Sequence, residues 1–196
     1  MKSSQTRGRK VVITASILAL LVGLLSATAL GLFTDTDTVG ANAFSTGKID
    51  LNVSPASALV TFNGMLPGDQ VTAPLTVTNG AGSSALRYAV TSTTTENVLA
   101  TQLQLTVKSG VTTCTSAGFG ATGTVVYTGA LGNTVPLAII GNVAQGAQAG
   151  DRPLAVAGSE VLCFNVSLPI ATGPAFQSLS STATFTFQSE QTANNP

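Results

Sequence analysis

Along most of this chain, apolar and polar residues alternate with a period of two. The alternation is clearest in five runs, at residues 71–77, 86–90, 103–107, 162–168 and 185–187. Side chains of a β-strand point alternately to opposite faces, so each run predicts a strand with one apolar face and one more polar face. Antiparallel sheets that are packed on one side carry this pattern.

Weaker patterns complete the predicted domain. Two more strands are predicted at residues 125–127 and 137–140, with a loop at 141–150. Turn-forming groups separate the runs, namely LPGD at 66–69, NG at 79–80, SG at 109–110 and GDRP at 150–153. Many short strands with regular turns are typical of an all-β, antiparallel, jelly-roll-like β-sandwich. We expect this domain to span residues 47–190 and to be followed by a flexible tail at 191–196.

The first residues of the chain depart from the strand pattern. Residues 1–10 carry four basic side chains and no acid, and no charge appears from position 11 to position 34. A basic start, an apolar core and small residues at the exit predict a helical signal peptide at residues 1–29. Two small-x-small sites place cleavage between Ala29 and Leu30 or between Gly31 and Leu32. An uncleaved membrane anchor is the alternative, because this uncharged stretch can cross a bilayer of about 30 Å.

Removal of the signal peptide changes the charge balance. The chain has 8 basic and 8 acidic residues, and the loss of four basic ones leaves the exported part with a formal net charge of −4. Such a surface has no basic patch for phosphates, which argues against nucleic-acid binding. Charged residues make up only 8% of the chain, and this low charge favours self-association.

The two cysteines, Cys114 and Cys163, both lie in the exported part. In an oxidising compartment a single disulfide between them is the expected state. Two buried thiols are the alternative.

The chain contains no histidine, which removes most hydrolytic chemistry. HExxH zinc sites, Ser-His-Asp triads and Cys-His pairs all require it. Glycoside hydrolysis by paired carboxylates stays formally open, with Asp50, Asp69, Glu96, Asp151, Glu160 and Glu190 as candidates. Sugar sites usually also have aromatic surfaces, and this chain has no Trp and only 2 Tyr. We therefore predict no enzymatic activity, no metal site and no cofactor.

Several motifs together resemble the N-terminal signature of TasA/camelysin-type proteins. They are FTD at 33–35, AFSTGKIDL at 43–51 and LPGD at 66–69. LCFNVSLP at 162–169 and ATFTF at 183–187 resemble actinobacterial-type members of that family. There are two departures: Leu32 stands where Ala or Tyr is usual, and GANA at 40–43 loosens the common Gly-Asn-Thr spacing.

The resemblance implies export with a SipW-like signal peptidase and a jelly-roll domain that assembles into extracellular fibres of the biofilm matrix or cell surface. In fibre-forming members, the freed N-terminal strand of one subunit completes the sheet of the next. Residues 30–46 thereby become a candidate donor strand, with assembly residues Phe33, Thr34, Asp35, Asp37, Val39 and Phe44. Calcium binding by Asp35 and Asp37 is disfavoured, because the further oxygens and the Gly of an EF-hand loop are missing.

Three functions follow from these observations. The leading hypothesis is a secreted structural protein whose partner is itself, with the membrane involved only through the signal segment. The alternative is a membrane-anchored surface binding module or adhesin. The third is a divergent camelysin-like metallopeptidase, which the lack of histidine disfavours.

Overall fold

The computed structural model describes residues 47–56 and 64–195, whose regular structure is almost entirely β. The strands are β1 Leu51–Ser54, β2 Gln70–Asn79, β3 Leu86–Thr94, β4 Gln104–Ser109, β5 Thr124–Ala130, β6 Leu137–Ile140, β7 Arg152–Leu154, β8 Ser159–Ser167 and β9 Ala183–Gln191. A 3₁₀ turn at Pro174–Phe176 precedes β9. Within these two ranges, no helix is long and apolar enough to cross a membrane.

The strands form two antiparallel sheets. Sheet I has the order β1-β2-β8-β4-β5. Sheet II has β3 at its centre, with β9 along one edge and with β6 and β7 sharing the other. On that shared edge, β6 pairs with residues 90–92 and β7 pairs with residues 86–88. The predicted all-β antiparallel sandwich is confirmed.

Inward side chains at every second position fill the space between the sheets. On β3, Leu86, Tyr88 and Val90 are at most 1% exposed, and on β8, Leu162 and Phe164 are fully buried. Burying one such large apolar side chain contributes about 1.5–3 kcal/mol. The period-two runs of the sequence therefore mark the core.

Two short strands, β1 and β7, are absent from the sequence prediction. β7 includes Arg152 and Pro153, so the assignment of both residues to a turn is wrong. Proline lacks an N–H group but is tolerated in β7, a short strand paired with β3 at the edge of sheet II. The Arg152 guanidinium also binds the carboxylate of Glu160 in sheet I.

The two lateral sides of the sandwich differ. On one side β5 contacts β6, and residues 131–136 connect them directly from sheet I to sheet II. On the other side sheet I continues past β8 through β2 and β1, whereas sheet II ends at β9. The rings of Phe164 on β8 and Phe185 on β9 lie 5.0 Å apart, which sets the lateral position of β9. With β9 packed against β8, two strands of sheet I, β2 and β1, extend beyond β9 on this side.

A disulfide fixes the long loop between β4 and β5 to sheet I. Cys114 in this loop is bonded to Cys163 on β8, with the two Cα atoms 5.6 Å apart, so the predicted pair is confirmed. The Lys108 ammonium donates a hydrogen bond of 2.8 Å to the carbonyl of Phe119 and lies 4.8 Å from its ring centroid. These contacts anchor an irregular segment that has no strand pairing of its own.

Candidate assembly edge

The described domain begins at one end of the sandwich, hereafter the proximal end, where Gly47 and Lys48 lie beside Ser84. The Lys48 carbonyl accepts the Ser84 N–H at 3.0 Å, and the Asp50 carbonyl accepts the Gly80 N–H at 2.7 Å. A Cβ on Gly80 would lie 2.4 Å from the Asp50 carboxylate, so a larger residue there would displace that side chain. A hydrogen bond from the Lys48 ammonium lowers the pKa of Asp50. These contacts hold the first described residues against the turn between β2 and β3.

β9 is the open strand of sheet II on the side opposite β6 and β7. It pairs with β3 over its whole length, from Ala183 opposite Thr94 to Gln191 opposite Leu86. No other strand in the two described ranges pairs with it. One row of its backbone N–H and C=O groups consequently lacks a strand partner there. Such a row is a template for an added strand.

The side chains next to this edge are incompletely covered. Ala183, Phe185 and Phe187 pack against the core but are only half-buried, in contrast to the buried inward residues of β3. Leu51 and Val53 of β1 are half-buried in the same way. We call the unpaired side of β9, together with these five residues, the open edge. An additional strand there would remove apolar area from water, which favours its binding.

The usual protections of an edge strand are missing over most of β9. Natural edges are protected by lysine, proline, bulges or inward charges. From Ala183 to Gln188 this strand has no charge and no proline, and its register with β3 is regular. Its outward side chains there are Thr184, Thr186 and Gln188, all exposed. The strand is therefore chemically suited to pairing with another extended segment.

The proximal part of β9 is held by an ion pair on the outer face of sheet II. Glu190 accepts a hydrogen bond of 2.5 Å from Nε of Arg87, and it also accepts the N–H of Gly146 at 3.1 and 3.2 Å. The hydrogen bond from Arg87 is the main cause that lowers the pKa of Glu190. Arg87 also donates to the carbonyl of Asn195. The Arg87–Glu190 pair thus holds the β6–β7 loop and the last described residues against the sheet. The sequence did not predict these contacts.

The carboxylates considered for hydrolysis each have local partners. These partners are Lys48 for Asp50, Leu66 for Asp69, Leu99 for Glu96, Asn142 for Asp151, Arg152 for Glu160 and Arg87 for Glu190. In the described ranges, no three His, Cys, Asp or Glu residues lie close enough together to hold a metal ion.

Two of these carboxylates, Asp151 and Glu190, line one pocket of about 150 Å³ between β3, β9 and the β6–β7 loop. Both accept backbone N–H groups of that loop. A general acid for glycoside hydrolysis needs a raised pKa, whereas the pKa of Glu190 is lowered. Glu190 is therefore unsuited to the role of general acid.

The predicted processing and donor residues fall outside the described residues. These are the cleavage positions Ala29, Leu30, Gly31 and Leu32 and the assembly residues Phe33, Thr34, Asp35, Asp37, Val39 and Phe44. Both sets stay predictions. Sequence reasoning missed the open edge: the alternation at 185–187 predicts a strand, but pairing partners distant in sequence decide whether that strand is an edge.

Comparison with known proteins bears on the family resemblance. Residues 7–106 match a family model described as camelysin metallo-endopeptidase. The match covers just over half of the 196 residues and includes β1, β2 and β3. The FTD, AFSTGKIDL and LPGD motifs all lie inside it. No curated protein matches the chain. The chain belongs to the camelysin metallo-endopeptidase family, to which the TasA/camelysin resemblance points.

Proposed function

We propose that this protein is a secreted structural subunit of the cell surface or biofilm matrix, and that it assembles into fibres through residues 30–46. The open edge of β9 is the observation that carries the proposal. In a fibre, residues 30–46 of one copy form a strand beside β9 of the next copy. Each subunit thereby donates one strand and accepts one strand, so assembly continues at both ends.

The length of the donor segment suits this pairing. At about 3.3 Å per residue, nine-residue β9 is about 30 Å long, and residues 30–46 extend to about 55 Å. The extra length leaves several residues to link the domain of the donating copy to that of the accepting copy. Backbone hydrogen bonds supply most of the affinity in this mode of recognition. The donor is rich in threonine, as is the outward face of β9 with Thr184 and Thr186, and Thr–Thr pairs stabilise neighbouring strands.

Export controls when the donor becomes available. In this proposal, a SipW-like signal peptidase cuts after Ala29 or Gly31 and frees the N-terminal segment. Before that cut, the apolar signal segment keeps the chain at the membrane. Assembly is therefore confined to the outside of the cell, and the subunit's principal partner there is another copy of itself.

We infer that the subunit has no peptidase activity, despite the name of its family. The whole chain has no histidine to bind zinc or act as a base near neutral pH. Among the described carboxylates, those that line a common pocket are occupied by backbone amides and by Arg87. Purified protein supplied with divalent metals is expected to leave a protein substrate uncleaved. Metal-dependent cleavage that persists in clean preparations would contradict this inference.

The assembly proposal is tested with two purified proteins that start at different positions of the chain and are otherwise identical. Protein that begins at Leu32 is expected to form fibres visible by electron microscopy, whereas protein that begins at Gly47 stays monomeric in size-exclusion chromatography. If both stay monomeric under all assembly conditions tried, the donor-strand proposal is wrong. Mass spectrometry of the protein from its native cell surface gives the mature N-terminus. Retention of residues 1–29 would favour the membrane-anchored adhesin instead.

A further inference from the structure

Exposed large apolar side chains of the described domain are concentrated at the two ends of the sandwich. The end opposite Gly47, hereafter the distal end, carries Leu66 (68% exposed), Val98 (58%), Val135 (67%), Ile170 (84%) and Leu179 (43%). The proximal end carries Ile49 (41%) and Val156 (56%). The other three in the described residues, Val125, Val143 and Val161, lie away from the distal end.

Two distal segments on the sheet I side lie next to each other. The Gly68 N–H donates to the Leu168 carbonyl at 2.8 Å, between the start of β2 and the end of β8. This bond brings the turn that contains Leu66 beside the segment that contains Ile170. Both side chains are more than two-thirds exposed.

Two distal segments on the sheet II side are also joined. The side-chain oxygen of Asn97 accepts the Thr134 N–H at 2.7 Å, which brings the loops with Val98 and Val135 together. The Thr95 N–H donates to the Thr182 carbonyl at 3.0 Å, so the segment that follows Leu179 reaches the same end. Apolar patches exposed in this way mark interaction sites more often than isolated surface residues do.

Charged side chains do not protect the distal loops. The acids there, Asp69 and Glu96, have carboxylates that accept backbone N–H groups of their own loops. The four basic residues of the described domain lie in its proximal half: Lys48, Arg87, Lys108 and Arg152. Soluble surfaces normally intersperse charges of both signs to prevent association. The distal end lacks that protection.

We propose that the distal end of one copy binds the proximal end of the next copy, with Ile49 and Val156 seated against the apolar distal loops. This contact rests on the proposed function, in which the donor segment leaves the domain at Gly47, on the proximal end. A donating copy must therefore bring its proximal end toward the accepting copy. Because the two ends are different surfaces, the contact is heterologous and repeats into an open filament.

Photo-cross-linking in the mature chain tests which surfaces meet. A benzophenone amino acid is placed at Val135 and, as a control, at Val161, which is 47% exposed on β8 of sheet I. Copies labelled with ¹⁵N are mixed with unlabelled copies, so that mass spectrometry identifies links between different molecules. Position 135 is expected to link to residues near Ile49 or Val156 of another copy, and position 161 is not. Links from distal end to distal end, or from the distal end to a sheet face, would overturn the inference.

Substitution gives an independent measurement. In the mature chain, Val98→Ser together with Val135→Ser is expected to raise the critical concentration for fibre formation about tenfold or more, since exposed apolar area would no longer be buried. Val161→Ser is the matched control and should leave that concentration unchanged. An unchanged value in the double variant, with its fold verified by circular dichroism, would contradict the contact.

The outcomes also separate this contact from the donor-strand proposal. If fibres need residues 30–46 but position 135 links elsewhere, the end-to-end contact is wrong and the donor strand stands. If fibres persist without residues 30–46 and the link to Ile49 or Val156 remains, the donor strand is wrong and the contact stands. A mature chain that stays monomeric and gives no links contradicts both.

Discussion

The hydroxyl of Tyr88 donates a hydrogen bond of 2.7 Å to the carboxylate of Glu160, and this bond connects the two sheets inside the core. Tyr88 lies on β3 and is 1% exposed, while Glu160 lies on β8. Arg152, opposite Tyr88 in the register of β3 and β7, donates to the same carboxylate through Nε at 3.2 Å. Burial, and then the bond to Glu160, raise the pKa of Tyr88 well above its usual range. A partly buried carboxylate is costly without such partners, so the three residues depend on one another.

Removal of the Tyr88 hydroxyl should weaken the domain measurably. Tyr88→Phe keeps the ring in the core but takes one hydrogen bond from a charged acceptor, and we expect a loss of about 2 kcal/mol in the free energy of unfolding. The measurement is urea unfolding followed by circular dichroism. Tyr127→Phe is the matched control, because that half-buried hydroxyl donates to the neutral Ala130 carbonyl at 3.0 Å. Equal losses of unfolding free energy in the two variants would show that the Tyr88–Glu160 hydrogen bond stabilises the domain no more than a hydrogen bond to a neutral carbonyl does.

Loss of the disulfide should destabilise the domain and release the β4–β5 loop. Cys114 and Cys163 are 49 residues apart, and a cross-link closing a loop of that size is worth about 4 kcal/mol in the chain-entropy model. The double variant Cys114→Ala, Cys163→Ala is expected to unfold at lower guanidinium concentration and to be cut by proteases within residues 110–123. The control is the unaltered protein with and without a reducing agent, which should reproduce the same shift. Identical midpoints for oxidised protein and double variant would contradict the prediction.

Acidification should release the β6–β7 loop from sheet II. The pKa of Glu190 is lowered from its ordinary value of 4.5, chiefly by the hydrogen bond from Arg87, so the folded state favours the ionised carboxylate. This stabilising contribution is present above that value and is lost as the pH falls through the lower folded pKa. The amide resonance of Gly146, which donates to Glu190, is therefore expected to shift in NMR spectra below pH 4.5.

A charge-neutral variant provides the control for this titration. In Glu190→Gln the Gly146 resonance should stay nearly constant over the same pH range, because the acceptor no longer titrates. A shift of the same size in the variant would show that Glu190 is not the group responsible.

Local patterns in the sequence predicted the core more completely than the edges. Strands β2, β3, β4, β8 and β9 were predicted because each places its large apolar side chains on the face toward the core, which gives the sequence a period of two. β7 was misassigned because Gly150 and Pro153 are typical of turns, whereas its pairing with β3, which is distant in sequence, makes it a strand. β1 has a pattern of only four residues and is defined mainly by its pairing with β2.

At the candidate site, too, local sequence patterns were informative and pairing between distant residues was not visible. The donor segment was inferred from motifs near the N-terminus, where a resemblance is visible in the order of residues. The acceptor, the unpaired side of β9, was not inferred from the sequence. It is an edge only because β9 pairs with β3 and sheet II ends there. The Arg87–Glu190 pair was missed for a similar reason, since 103 residues separate its members and neither lies in a recognisable motif.

A peptide that corresponds to residues 30–46 should bind the domain at the open edge. Added to protein that begins at Gly47, it is expected to protect the backbone amides of β9 from hydrogen exchange, because its carbonyls would accept hydrogen bonds from the unpaired side of that strand. A peptide with Val39→Asp and Phe44→Asp keeps the threonines but should bind about tenfold or more weakly, since it buries less of the apolar area around Phe185 and Phe187. Protection confined to β1 or β5, the edge strands of sheet I, would show that the acceptor is on sheet I and would contradict the prediction. Equal protection by both peptides would mean that binding does not depend on the side chains of the donor.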